Sequence, residues 1–300
     1  MITPLKDYFI EQQSLITTTY GDLDQEDFKY YPKDHAHHQS LVAVIEGTVI
    51  EKGAVNVSYI NGQTMPAAAS KRRPECAGLP FKVTGLSMIL HPTNPHAPTM
   101  HANLRAFSGG PDYSINWIGG GMDLTPCYGY PEDAILWHQT IHHHMSPFGE
   151  DLYATYKKQC DDYFYLPHRH EWRGIGGVFF DDLSWPEDQS FSFIKAMSEC
   201  IIKAYTPILT KRMQMPYTES EKSFQSYRRG RYVEFNLLHD RGTKFGLEYG
   251  SDADQILVSL PKFARWSYDY PIKPGSPEAK LATFLTPKDW LHANQERTLT

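Results

Sequence analysis

The sequence predicts an α+β protein. Strand-patterned runs dominate the first half, the gaps between them are too short for helical crossovers and so favour antiparallel neighbours, and helix-patterned runs gather in the second half. After an N-terminal helix come LVAVIEGTVI (41–50), AVNVSYI (54–60), FKVTGLSMILH (81–91), MHANLRAF (100–107) and YSINWIG (113–119), all strand-like. PEDAILWHQTIHHHM (131–145) opens on Pro131 and two acids, as a helix N-terminus does. Residues 149–164 and 189–213 read as helices, with GIGGVFFDDL (174–183) a strand between them. RYVEFNLLH (231–239) and QILVSL (255–260) read as two late strands. No repeat, linker or low-complexity segment divides the 300 residues, so one domain over 1–300 is expected.

Composition narrows the function. Apolar residues at 41% and charged residues at 21% are those of a soluble globular protein, and no run reaches a membrane-spanning length. The N-terminus lacks a basic stretch followed by an apolar run, so a cytoplasmic location is expected. A net charge of -6 argues against nucleic acid as a partner; an acidic small molecule would have to be held by local arginines. Cys76, Cys127, Cys160 and Cys200 lie far apart and form no C-x-x-C pair, which argues against a cysteine-type zinc site and a disulfide framework and predicts buried free thiols.

Side chains two apart on a strand share a face. In MHANLRAF one face carries His101, Asn103 and Arg105, and the other Met100, Ala102, Leu104 and Ala106. In FKVTGLSMILH, Ser87 and His91 lie opposite Leu86, Met88 and Leu90. A wet face of an antiparallel sheet gives the same alternation, but solvated faces favour Thr, Lys and Glu. His, Asn, Arg and Ser are instead hydrogen-bond donors of the kind a carboxylate needs, and they point to an anionic ligand.

His91, His96 and His101 are separated by Pro92, Pro95 and Pro98, which predict an extended path on which the three rings need not converge on one ion. His138 and His142 stand i, i+4 on a predicted helix but lack the glutamate of H-E-x-x-H, so His142 to His144 read as a polar helix end. WIGGGMDLTP (117–126) is neither a dinucleotide fingerprint nor a P-loop. Its triple glycine either lets backbone approach a flat ligand or forms a tight turn with Asp123 as a helix cap. In FFDDL, Asp181 and Asp182 are expected to be structural, since one of two consecutive strand residues faces away.

Together the runs HPTNPHAPTMHANLR, WIGGGMDLTPCYGYPEDAILWH, YKKQCDDYFYLPHRHEWRGIGGVFFDDL and YRRGRYVEFNLLHDRGTKFGL resemble the oxygen-dependent coproporphyrinogen III oxidases, from about residue 53 to the closing PKDWL. The resemblance implies a large flat antiparallel sheet of about seven strands with helices on both faces, and a homodimer formed through about residues 232–267. It implies oxidative decarboxylation of two propionates of coproporphyrinogen III to vinyl groups in haem biosynthesis, with dioxygen as co-substrate and no organic cofactor. By the same resemblance Ser87, Asn103, Leu104, Arg105, Gly250, Ser251 and Asp252 match substrate-binding positions. His101 matches the proton donor, and Asp240 and Arg241 match the pair that engages pyrrole N–H groups and a propionate. His91, His101, His138 and His168 match the histidines named as candidate divalent-metal ligands.

Two departures stand out. KDHAHHQSLVAV (33–44) replaces a glycine-rich stretch, and Gly250, Ser251 and Asp252 stand where the family has Gly-Gly-Arg. An aspartate among propionates repels unless a cation such as Lys244 or a neighbouring arginine compensates, or unless the substrate is less anionic. A tetrapyrrole-binding paralogue without the activity and a His-rich metal-dependent protein are the competing readings.

Overall fold

The computed structural model describes residues 1–35, 37–65, 73–248 and 252–293. Helix α1 (Ile2–Asp24) precedes strands β1 (Lys29–His35), β2 (His38–Ile45), β3 (Ile50–Gly62), β4 (Phe81–Pro92), β5 (Thr99–Gly109) and β6 (Ile115–Thr125). Helices α2 (Pro131–Met145) and α3 (Leu152–Tyr163), a small ribbon of β7 (Tyr165–Leu166) and β8 (Glu171–Trp172), and strand β9 (Gly176–Leu183) follow. The chain then runs through α4 (Glu187–Arg212), α5 (Glu219–Leu238), α6 (Arg241–Glu248), α7 (Ala253–Leu257) and the short α8 (Pro277–Lys280). Seven strands form one open sheet in the order β1-β2-β3-β4-β5-β6-β9, every neighbour antiparallel. This is an α+β architecture.

Alternation assigns the two faces. Leu86, Met88 and Leu90 of β4 and Met100, Ala102, Leu104 and Ala106 of β5 enter the large core with α1, α2 and α4. Burying these side chains supplies most of the driving force, about 1.5–3 kcal/mol for each large apolar group. On the opposite face Ala54 and Ile89 pack beneath Tyr232 of α5 and Val258, just beyond α7. Helices therefore cover both faces, and the second covering leaves a polar band between itself and an aromatic patch of Val83, Phe107 and Trp117.

Several local expectations change. The run 41–50 is two strands, because the Asp24 carboxylate at the end of α1 accepts the N–H groups of Thr48, Val49 and Ile50 at 2.7, 3.0 and 2.6 Å and folds the chain back. Strand β1 escaped notice because KYYPKDH carries two lysines and a proline, the marks of a sheet edge. RYVEFNLLH is the end of helix α5. Thr218 and Glu221 close a capping box at its start, and Phe224, Arg228, Tyr232 and Phe235 form its inward stripe, so the apparent twofold alternation was a short sample of a longer helical period. QILVSL falls on α7 and the turn after it. The triple glycine is neither turn nor cap; it lies inside β6. Between β4 and β5 the prolines frame a turn rather than an extended path, with the N–H of His96 donating to Asn94 Oδ1 at 2.9 Å. Among the described residues all four cysteines are buried and unpaired, and no helix is long and apolar enough to cross a membrane.

Candidate active site

Register builds the site. One row across the α5-side face reads Lys33, Ser40, Ser58, Gly85, Arg105, Gly119, and ends on the Asp181 bulge of β9. The next row reads Tyr31, Val42, Asn56, Ser87, Asn103, Gly121, Phe179, and the third brings Ile89, His101 and Asp123 side by side. Ser87, His101, Asn103 and Arg105 thus share one surface, as their alternation predicted. Leu104 does not: its side chain is 2% exposed in the opposite core, so only its backbone faces the neighbouring strands.

His101 donates or accepts through Nδ1 at 2.8 Å from Asp123 Oδ1, and Asp123 is held bidentately by Arg173 at 2.8 Å to each oxygen. Burial alone would raise the Asp123 pKa, yet the Arg173 guanidinium and the bond to His101 outweigh it and hold the carboxyl below its ordinary value. Arg173 lies over the rings of Phe164, Tyr232 and Phe235 at 4.0, 4.6 and 4.7 Å, and donates to Asn236 Oδ1 at 3.1 Å. This fixes the imidazole's orientation and the charge behind it. The sequence reading missed Arg173, a lone arginine in the connection between β8 and β9 with no periodic signal.

Arg105 donates to Asn103 Oδ1 at 2.9 Å and to Asp181 Oδ1 at 2.7 Å, and Arg241 approaches Asp181 Oδ2 at 3.7 Å. Asp181 therefore bridges two arginines. The ladder skips between Ile118↔Leu183 and Gly120↔Phe180, and Asp182 takes φ 58°, so a bulge turns Asp181 toward two arginines. Gly119 makes room: a Cβ there would sit 2.8 Å from Asp181 Oδ1 and 3.0 Å from Arg105 Nε. Asp240 accepts from Tyr163 Oη at 2.8 Å and from the Thr243 N–H at 2.6 Å, which caps α6. Burial and the adjacent Asp240 push the Tyr163 pKa up to about 12, so its hydroxyl keeps its proton and donates. Arg241 lies over the Tyr163 ring at 4.9 Å.

The four histidines expected as metal ligands are not gathered. His91 is fully buried, with Nδ1 on Thr99 Oγ1 at 3.2 Å and Nε2 on the Ser259 carbonyl at 3.0 Å. His138 bonds the Ile175 carbonyl at 3.0 Å and Tyr153 Oη at 2.9 Å, and sits on α2, in the core of the other face. His168 bonds Glu234 at 2.9 Å and His239 at 3.1 Å. Both nitrogens of these three rings are engaged, and among the described residues no group of three His, Cys, Asp or Glu side chains can hold a metal ion. The donor set does not fit a metal.

Gly250 and Ser251 lie outside the described residues. Asp252 pairs with Lys33 of β1, Nζ to Oδ2 at 2.6 Å, rather than with Lys244 or an arginine, and accepts the Asp254 N–H at 3.0 Å.

What emerges is a shallow bed of small residues with arginines, an oriented imidazole and a clamped aspartate at one end, suited to a flat, anionic, donor-rich ligand. A family model described as coproporphyrinogen III oxidase matches residues 4–290, nearly the whole chain. The chain belongs to the coproporphyrinogen III oxidase family, enzymes of haem biosynthesis that oxidatively decarboxylate propionate side chains of their tetrapyrrole with dioxygen.

Proposed function

We propose that the band lined by Ser87, Asn103, Arg105, His101, Asp240 and Arg241 is where this chain binds coproporphyrinogen III and carries out the decarboxylation. The observation that carries the reading is the convergence of Arg105 and Arg241 on a single carboxylate, Asp181, beside the small-residue bed. A propionate competes for the same two guanidinium groups and is seated there.

Asp240 is the proton acceptor for a pyrrole N–H. Two donors already fix its orientation, and α6 begins at its side. Loss of the pyrrole proton enriches the ring so that it reacts with dioxygen directly. The propionate loses a β-hydrogen and CO2 to leave a vinyl group, and the two electrons released, with that proton and one more from a donor, reduce dioxygen to hydrogen peroxide. His101, oriented through Nδ1 by Asp123, is the proton donor. The protein positions and moves protons; the ring supplies the electrons. No organic cofactor enters this scheme.

The test is incubation of purified protein with coproporphyrinogen III, first without and then with air, followed by chromatography of the oxidised porphyrins. Protoporphyrin in the enzyme sample and not in a boiled control is expected. Asp240→Asn keeps a carbonyl oxygen for the Thr243 cap and should fold normally while turnover is abolished. Near-normal turnover in that variant would remove Asp240 from the role.

The same reading includes a homodimer. Within 232–267, Tyr232, Val233 and Phe235 pack inside their own chain, whereas Leu237, Leu238, Phe263 and Trp266 are exposed apolar surface that a second copy would cover.

A further inference from the structure

The row that holds Arg105 carries a second cation, Lys33, on its edge strand. Across it stand Lys33, Ser40, Ser58, Gly85, Arg105 and Gly119, so nothing larger than a serine separates the lysine from the arginine. Four interstrand steps of about 4.8 Å place the two backbones about 19 Å apart, a span on the scale of a tetrapyrrole with its carboxylate arms extended. Each cation is held by a protein carboxylate, Arg105 by Asp181 at 2.7 Å and Lys33 by Asp252 at 2.6 Å. Both pairs keep access to solvent: Arg105 is 26% and Lys33 40% exposed. Between them, Ser40 Oγ and, one row over, Asn56 Oδ1 are buried without a hydrogen-bond partner.

We propose that Lys33 is a carboxylate-binding residue of the substrate site, seating the propionate arm farthest from Arg105 and Arg241, with Asp252 holding its ammonium in place over the bed. This rests on the functional reading above and extends it to the far end of the ring. Only a flat ligand carrying carboxylates on opposite sides engages both cations of the row, so Lys33 selects for a polycarboxylate macrocycle over one with acidic groups on one side. The groups facing the Lys33 ammonium are Asp252 and, more distantly, Asp254. Asp252 therefore competes with the substrate arm, and weakening it should strengthen binding.

The experiment reads binding and turnover separately. Coproporphyrin III, the oxidised ring that does not react, is titrated by fluorescence against wild type, Lys33→Met, Lys33→Arg and Asp252→Asn, and KM and kcat for coproporphyrinogen III are measured alongside. Lys33→Met is expected to weaken binding and raise KM on the order of tenfold with kcat little changed, as loss of one charge-assisted bond requires. Lys33→Arg should restore both. Asp252→Asn, which still caps α7, should tighten binding severalfold. Lys33→Met binding like an active wild type would overturn the Lys33 assignment and leave the functional reading intact. A folded wild type that neither binds nor turns over the ring would overturn both.

Discussion

At Asp123 a carboxylate 2% exposed faces an arginine equally buried, so removing either charge strands the other inside an aromatic cage. Asp123→Asn should cost about 3–5 kcal/mol, seen as a lower urea midpoint, and should release His101 from its fixed orientation. Two buried histidines give a second prediction. Burial pushes the pKa of His91 well down and that of His138 down to about 3, from an ordinary 6.5. Above pH 6.5 both states hold these rings neutral and no dependence arises. As pH falls below that value the unfolded chain takes up protons that the folded one refuses, so stability declines toward the folded pKa. Each ring contributes about 1.4 kcal/mol per pH unit in that window. Urea midpoints should therefore drop between neutral pH and pH of about 5, and a His138→Gln variant should show a shallower slope. At this scale alternation placed His101, Asn103 and Arg105 on one face of their strand and Ser87 opposite Leu86 and Met88 on its own, while that the two strands pair came from the tertiary structure. Arg173 and Asp181 were not legible in the sequence, because what defines them is the partner across the fold.

Among elements, β6 is the one whose composition is explained by what lies on it. Gly119 keeps the surface flat beneath the Arg105–Asp181 pair, while Gly120 meets Leu104 and Phe180 on the other face, and Gly119→Ala would place a methyl 3.0 Å from both Arg105 Nε and Nη2. Overpacking of this kind costs typically about 1–3 kcal/mol. Here the nearest atoms are site side chains, so the expected reading is a fall in kcat/KM with a small change in melting temperature, measured on the same preparation. A large melting shift with unchanged kcat/KM would mean the strand, and not the site, absorbs the methyl. Helix α5 teaches the complementary lesson. Its last eight residues, 231–238, alternate like a strand, and only the capping box at Thr218 and the stripe from Phe224 to Phe235 reveal the helical period.

In the whole molecule, the seven-stranded sheet serves two purposes from its two faces. One is sealed by α1, α2 and α4; the other carries α5 and α7 on one side of a polar band. The extended segment after α7 exposes Phe263, Trp266, Tyr268 and Ile272, a contiguous stretch of sequence rich in apolar surface. If a second copy covers it, sedimentation should give a dimer, and Phe263→Asp should shift the mass toward the monomer at low concentration. Trp266 is the poorer choice for that test because its Nε1 donates to Glu234 at 2.8 Å within the same chain.

The sequence by itself determined the α+β class, the strands β4 and β5 that carry the candidate site, the face on which His101, Asn103 and Arg105 meet, and the family, because these depend on short-range periodicity and on long unbroken runs of residues. Only the tertiary structure decided that the family's four histidines lie apart, that Asp252 answers to Lys33, and that Asp181 joins two arginines. Those facts follow from strand order and from one bulge, which bring together residues up to 219 positions apart, and local patterning carries no information about pairings at that range.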